Sequence, residues 1–427
     1  MTRPIDLSGR TLLVLGAGRH QNTLIRRAEE RGVAVVAADY YPDAPGKSYA
    51  SHPVLVDALD VPANIELAER YGVDGVVTLG TDQAVVTMAA VADALGLPCY
   101  LTPANALRAT DKSVMAAAYA AHDVPRPPFV ELSAAAIAAV ATQGLSLPVV
   151  VKPADSQGQR ATVRVDHRSG LEPAVAAAIA ESRTGRAIVD EWVNGPEVTV
   201  SAWVSAGDPH ILMVADRITI NPPPTVGVAF QHVFPSLAAV DALPEIERQI
   251  AAITRAYEMR EGPLYVQMIV NGGDAVTIEG GARVGGGHEV GLTPIATGVD
   301  VVDRLIDLAL TGEAEAVTYH FGRSPQPLHA LVNFLIAAPG VVGGVAGFPD
   351  IIDEGLVAEG GFYIRPGYTQ PPITNSLGRL GYFIATGVTR AEMMARAREA
   401  YGRLSMTSDH GEEMLFWPDP AIVNDAE

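Results

Sequence analysis

The stretch LYVQMIVNGGDAVTIEGGARVGGGH, residues 264–288, decides how this chain is read. Its first half alternates: Val266, Met268 and Val270 with Tyr265, Gln267 and Ile269, then Val276 and Ile278 with Ala275, Thr277 and Glu279. A period of two means strands, and Asn-Gly-Gly between them means a hairpin. To bury both aliphatic sets together, even-numbered residues of the two strands must share a face, which predicts an odd loop such as a three-residue turn with a left-handed glycine. That register sets Gln267 beside Glu279 on the other face. An amide oxygen and a carboxylate side by side are hard donors suited to Mg²⁺ bridging phosphates, and are equally what the polar face of an ordinary hairpin carries. The second half puts Glu279 and Arg283 four positions apart among five glycines in the eleven residues 278–288. A structural ion pair is usually wrapped in bulk, whereas glycines leave backbone open to close approach, so a ligand is expected here.

Working outward, VVVKPADSQGQRA (149–161) is an apolar strand ending in Lys152, followed by a loop with Gly158 and Arg160 that can offer cations and backbone N–H groups to a polyphosphate. VDEWVNGPE (189–197) is a strand bearing Asp190 and Glu191, a short turn, and a second strand starting at Glu197. Its carboxylates and free backbone edge suit an adenine amino group and a ribose diol, and would also pass as exposed hairpin charges. GAGRHQN (16–22), after the first strand, has Gly16 and Gly18 of a dinucleotide fingerprint and Asp39 at a plausible distance, but Gln21 where the third glycine belongs. A tight strand-to-helix turn explains it better than NAD does.

The whole chain bounds these readings. At 427 residues, 48% of them hydrophobic, it suits two or three domains. A net charge of −19 provides no positive field for nucleic acid or an anionic membrane, so any phosphate must be held locally. Cys99 is the single cysteine, which excludes intrachain disulfides and cysteine-rich metal sites and points to a reducing compartment. No apolar run reaches the length of a signal peptide core or a membrane span, so a cytoplasmic protein is expected. TLLVLGAG, VAVVAAD, GVVTLG and LPCYL read as parallel strands alternating with helices, SAAAIAAVATQG as a helix, and TRAEMMARAREAYGRL as a long helix in a glycine- and proline-rich C-terminal third.

In combination, ATDKSVM (109–115), VVVKPADSQGQRA, VDEWVNGPE, YVQM and IEGGAR resemble the ATP-grasp superfamily in their order and spacing, over most of the chain. The resemblance implies an α/β and α+β fold. Its parts would be a Rossmann-like domain at 1–105, a nucleotide-binding ATP-grasp domain at 106–310 with a lid at about 124–196, and an α+β extension at 311–427. It implies that Lys112 and Lys152 touch ATP phosphates under the loop of Gly158 and Arg160. Asp190, the Glu191 carbonyl and the Val193 N–H would read adenine, and Glu197 the ribose. Gln267 and Glu279 would hold Mg²⁺, Arg283 would stabilise the transferring phosphoryl group, and His232 in FQHVFPS resembles a histidine near the phosphates. Gly286, Gly287, His288 and Glu289 would meet the substrate. The family's usual Glu-x-Asn-x-Arg has Gly281 at the asparagine here, and the usual acidic first ligand is Gln267. The implied activity is ADP-forming joining of a small carboxylate to an amine through an acyl phosphate, an amino acid ligase above all. Alternatives are a carbamoyl phosphate synthase-like or purine-biosynthesis ligase, and a nucleotide-binding protein without catalysis. A homodimer is the base-rate expectation.

Overall fold

The computed structural model describes residues 5–221, 225–325, 328–418 and 423–424. It opens with a parallel sheet of β1 (Thr11–Leu15), β2 (Ala34–Ala38), β3 (His52–Val54) and β4 (Gly75–Val77) in the order β3-β2-β1-β4. Leu12–Leu15 and Val35–Ala38 are fully buried, as strands covered on both faces must be. The three expected helices form at Asn22–Glu30, Val61–Tyr71 and Gln83–Leu95; Gly72 and Gly96 end the last two in left-handed conformation. LPCYL (97–101) is not the strand its apolar run suggested. The flank of β4 is taken by the helix Val301–Thr311, so close that a Cβ on Gly75 would lie 2.1 Å from the Ala309 carbonyl oxygen. Residues 97–101 cross instead to the next layer, where the Tyr100 hydroxyl donates to Ala282 O at 3.1 Å.

A small antiparallel sheet follows: β5 (Phe129–Leu132), β6 (Val149–Pro153), β7 (Val163–Val165) and β8 (Ala187–Glu191), ordered β5-β8-β6-β7. It has its own core, with Val149, Val151 and Val189 packed under Leu171 and Val175 of the helix Leu171–Glu181. The alanine-rich 133–144 forms only a 3₁₀ turn at Ala135–Ile137 and a short helix at Ala138–Ala141.

The large sheet is built on β9 (Glu197–Ser205), β10 (Asp208–Ile220), β11 (Val228–Phe234), β12 (Gly262–Asn271) and β13 (Asp274–Gly281). β14 (His329–Leu335), β16 (Glu359–Phe362) and β18 (Gly381–Gly387) continue it, while β15 (Gly340–Ala346), β17 (Thr369–Gln370) and β19 (Ser405–Ser408) form a separate ribbon and β20 (Val423–Asn424) pairs with β10. The order β13-β12-β9-β10-β11-β14-β18-β16 means that the C-terminal third extends the same sheet. The expected long helix is there, at Arg390–Arg403, capped by Thr389, whose side chain accepts from Glu392 N. It buries Met393, Ala397 and Ala400 against this extension. Its first residue is anchored by Arg390 to Asp216, 2.8 Å, a wholly buried carboxylate on β10.

The β12–β13 hairpin pairs Gln267 with Glu279, as expected, by a different route. The turn has two residues, Gly272 and Gly273, because Asn271 pairs with Asp274. This even loop sends Ala275 and Thr277 into the core and leaves Val276 and Ile278 half-buried, the reverse of the alternation read from the sequence. A bulge at Ile278 then adds one residue to β13, shifting the register so that Gln267 faces Glu279.

Candidate active site

A cavity of about 140 Å³ lies between the small sheet and the large one. Gln267, Ile269, Ile278 and Glu279 form its floor, Lys152 and Asp190 one wall, and the 156–159 loop its cover. Local sequence explains each placement. Asp111 caps the helix Lys112–Ala120, accepting from Ser113 N at 2.9 Å and Val114 N at 3.2 Å, which fixes Lys112 in the first turn. Lys112 Nζ then reaches Ser156 O (2.9 Å) and stands 4.0 Å from Glu279. Burial lowers the pKa of Lys112 and would raise that of Glu279, but Lys112, Lys152 and Arg283 outweigh burial and hold Glu279 below its usual value. Glu279 is therefore ionised at neutral pH.

Every cation at this end has a carboxylate in the chain. Lys152 is 2.8 Å from Asp190, which also takes Arg126 at 2.9 Å. The Asp190 side chain is thus held by two cations, and Glu191 and Val193 line the cavity beside it. The Glu191 carboxylate turns away to accept from Ser146 N at 2.6 Å. Glu197 pairs with Arg217, 2.8 Å, a buried cation of β10 that the sequence reading passed over. Burial raises the pKa of Glu197 against the pull of Arg217. Arg160 does not join them: it is exposed and 3.6 Å from Glu181.

Arg283 lies over the Tyr265 ring and forms a two-point pair with Asp82, Nε–Oδ1 2.6 Å and Nη2–Oδ2 3.1 Å. Asp82, immediately before the helix Gln83–Leu95, was also missed. It explains Gly281, since a Cβ there would lie 2.7 Å from Asp82 Oδ1. The asparagine of the commoner motif has no room because a carboxylate from another domain fills its place. Among the described residues there is no cluster of three or more His, Cys, Asp or Glu able to hold a metal ion. The donors that fit one are Gln267 and Glu279, two oxygens facing one cavity, which suits Mg²⁺ because that ion keeps several waters and phosphate oxygens.

The phosphate-side loop is tied to both neighbouring layers. Gln157 Oε1 accepts from Asp82 N (2.8 Å), Gln83 donates to Asp155 O (2.7 Å), and Ser376 bonds to Gly158 O through its N–H (3.1 Å) and to the Gln159 side chain through its hydroxyl. Gly158, Gln159 and Ala161 all have positive φ, and for the last two this is strain that such contacts must hold.

His232, Gly286, Gly287, His288 and Glu289 gather on the other side of Arg283. His232 Nδ1 is 3.7 Å from Glu289 Oε1; the His288 ring stacks on Tyr382 at 3.3 Å and bonds to the Tyr363 hydroxyl. Burial, reinforced by Arg217 and Arg379 at His232 and by His20 and Arg379 at His288, holds both histidines far below their ordinary pKa. The 16–22 loop ends here too. Gln21 fills the missing glycine's place, donating to Leu79 O at 2.7 Å, and Asp39 accepts from Ala17 N at 2.8 Å, so the fingerprint closes on itself. Arg19 meanwhile reaches over the ring of Tyr363 to its carbonyl. Arg379, over the Phe334 ring at 3.9 Å, makes no ion pair among the described residues.

A small lid sheet and a large sheet closing on paired cations, with oxygen donors on a terminal hairpin, define an ATP-grasp enzyme. Residues 145–290 match the ATP-grasp domain family and residues 333–408 match L-amino acid ligase C-terminal domain 2, so the chain carries an ATP-grasp domain and is an ATP-dependent ligase of the carboxylate–amine type. Among its relatives is the formate-dependent phosphoribosylglycinamide formyltransferase of Burkholderia lata, 25% identical over 93% of this chain and 95% of that one. The same enzyme of Rhodococcus jostii is 24% identical over 94% and 96%. In fold it is similar to the L-amino acid ligase of Bacillus licheniformis (TM-score 0.78, 20% identity, 94% of this chain and 99% of that one). The phosphoribosylglycinamide synthetase of Anaerococcus prevotii also matches (TM-score 0.74, 19%, 94% and 100%).

Proposed function

We propose that the protein is an ADP-forming ligase that activates the carboxylate of a small acid, an amino acid by preference, as an acyl phosphate and couples it to an amine. The observation that carries this is the convergence of Lys112, Lys152 and Arg217 on a cavity whose floor presents Gln267 and Glu279, with Arg283 in the adjoining pocket that Lys112 and Glu279 also line. ATP phosphates arriving there would take over cations now held by Glu279, Asp190, Glu197 and Asp82. Lys112 and Lys152 would hold the β- and γ-phosphates under the 156–159 loop, adenine would meet the Glu191 and Val193 backbone, and Glu197 would face the ribose. Bound between Gln267 and Glu279, Mg²⁺ would supply charge neutralisation as two anions approach. Arg283, released from Asp82, would stabilise the equatorial oxygens of the transferring group and then the acyl phosphate, which the closed loop shields from water. A cytoplasmic location and small-molecule partners go with this reading; the described residues contain no helix long and apolar enough to cross a membrane.

The curated relatives, aligned over nearly the whole chain, favour a second reading in which formate and phosphoribosylglycinamide are the acid and amine. The test is phosphate release from Mg-ATP with pools of L-amino acids, and separately with formate plus phosphoribosylglycinamide, with nucleotide and product masses identified. ADP with a condensed amino acid product supports the first reading; formylated product supports the second. AMP and pyrophosphate would exclude an acyl phosphate, and ATP binding without turnover in either set would leave a non-catalytic binding protein. Glu279→Gln is expected to slow turnover on the order of 100-fold and raise the Mg²⁺ needed for half-saturation; unchanged turnover would remove Glu279 as a ligand.

A further inference from the structure

Glu289 takes no part in the phosphate chemistry above, yet it is 1% exposed. Its Oε2 accepts the Gly287 N–H at 2.6 Å, while Oε1 has no hydrogen bond among the described residues. The nearest ionisable nitrogen, His232 Nδ1, is 3.7 Å away, too far for a hydrogen bond. Arg283 and Arg379 are near enough to act on it electrostatically but neither pairs with it. A buried carboxylate oxygen without a donor is unfavourable, and a fold free to change would close it with a cation or replace it by a hydrocarbon.

Glycines in the surrounding chain make room for this carboxylate. A Cβ on Gly285 would lie 2.4 Å from the Glu289 carboxyl carbon, and one on Gly287 would lie 2.9 Å from Oε1 and 2.8 Å from His232 Nε2. These glycines follow Arg283 directly, so the vacant oxygen faces the stretch that leads from the phosphate-transfer arginine. The aim of the side chain is fixed by strain: His288 has φ +63 and is clamped by Tyr382 and Tyr363, which sets the direction in which the helix Glu289–Thr297 starts.

We propose that Glu289 Oε1, backed by His232, receives the ammonium group of the acceptor and removes its proton, so that the free amine can attack the acyl phosphate. This rests on the ligase reading and adds a catalytic residue to it. The nitrogen lone pair forms the C–N bond to the acyl carbon as the C–O bond to phosphate breaks and the phosphate leaves with that electron pair. Of the two protons the ammonium gives up, the first passes to Glu289 and on to water; the second leaves with phosphate as hydrogen phosphate. Geometry is supported by charge. Burial holds the Glu289 carboxyl above its usual pKa, with its own backbone N–H, Arg283, the Gly287 N–H and Arg379 opposing, which makes it a better proton acceptor. His232, His288 and Tyr265, the other titratable groups against it, are all neutral at working pH because burial opposes their charged forms.

The experiment compares two acceptors in the full-length protein with Mg-ATP and L-amino acids: a second amino acid, whose amine arrives protonated, and hydroxylamine, which is uncharged at neutral pH. Glu289→Gln keeps an oxygen for the Gly287 N–H but cannot take a proton. Peptide formation is expected to fall about 100-fold or more while hydroxamate formation stays within about twofold of wild type, and raising the pH is expected to restore part of the peptide rate. Equal loss of both products in Glu289→Gln, with Glu289→Asp restoring neither, would make the residue structural and overturn the inference. Retention of both would overturn it as well. Absence of hydroxamate with the wild-type protein would instead bring down the ligase reading on which the inference stands.

Discussion

The two ends of the site solve the problem of buried charge in opposite ways. At the nucleotide end Lys152, Arg217 and Arg283 each sit within 2.8 Å of a carboxylate from another strand or domain. At the end around His288 the ionisable groups are kept neutral or unpaired: His20, His232 and His288 are held down by burial, and among the described residues Arg379 has no acid and Glu289 Oε1 no hydrogen bond. On the proposed reading, the first arrangement would be a set of temporary partners for phosphates whose number and charge never vary. The second is shaped for a ligand that brings its own charges, and it is where one enzyme of this fold differs from another.

The largest way to break that comparison is a pair of arginine substitutions. Arg283→Ala is expected to cut kcat about 10³-fold with ATP affinity little changed, because on the proposed reading the group would act on the transferring phosphoryl, and its loss leaves Asp82 unpaired. Arg379→Ala is expected to leave ATP affinity intact and raise KM for the acid about 10- to 100-fold. A loss of ATP binding in Arg379→Ala would show that the two ends are one electrostatic unit.

A smaller effect is on stability. Burial first, then Arg379, Arg283 and Arg19, lower His20 to about 4, and burial also holds His232 and His288 well below their ordinary value. Groups with a depressed folded pKa leave stability whole above the unfolded value of about 6.5 and remove it as pH falls from there toward the folded value. Each histidine then contributes a slope of about 1.4 kcal/mol per pH unit. Thermal melts between pH 7 and pH 5 should show a steep decline that His288→Gln makes shallower; an unchanged slope would mean that His288 is protonated in the folded protein.

The smallest expected effect is at the join between the ends. Ser376→Ala removes the hydroxyl that meets Gln159, and KM for ATP is expected to rise about threefold, the cost of one hydrogen bond near 0.6 kcal/mol. Steady-state kinetics at fixed acid and amine would measure it.

The same division governs what the sequence discloses. Lys152 at the end of an apolar strand, Asp190 to Glu197, and the Gln267–Glu279 pair are local patterns, set by alternation and turn residues within one segment. Asp82, Arg126, Arg217 and Arg379 carry no such mark: Asp82 and Arg126 pair with residues 201 and 64 positions away, Arg217 pairs with Glu197 on the neighbouring strand, and Arg379 has no acid partner among the described residues. The C-terminal strands were hidden for a related reason. HALVNFL and GYFIATG have little alternation because β14 and β18 are buried on both faces, so only the helix between Arg390 and Arg403 stood out. The misread turn shows the limit from the other side. Alternation fixes which residues share a face only if the strand is regular, and nothing in VTIEGG marks Ile278 as the extra residue.

That bulge makes the hairpin modular. Counting back from Met268 opposite Thr277, a chain without Ile278 would run as an unbroken ladder and still bring Gln267 opposite Glu279. What Ile278 adds is an apolar wall beside Ile269 in the cavity floor. Cavity shape on this strand can therefore change by insertion or deletion of one residue, leaving the oxygen donors in place, which separates the evolution of fit from the evolution of phosphate chemistry.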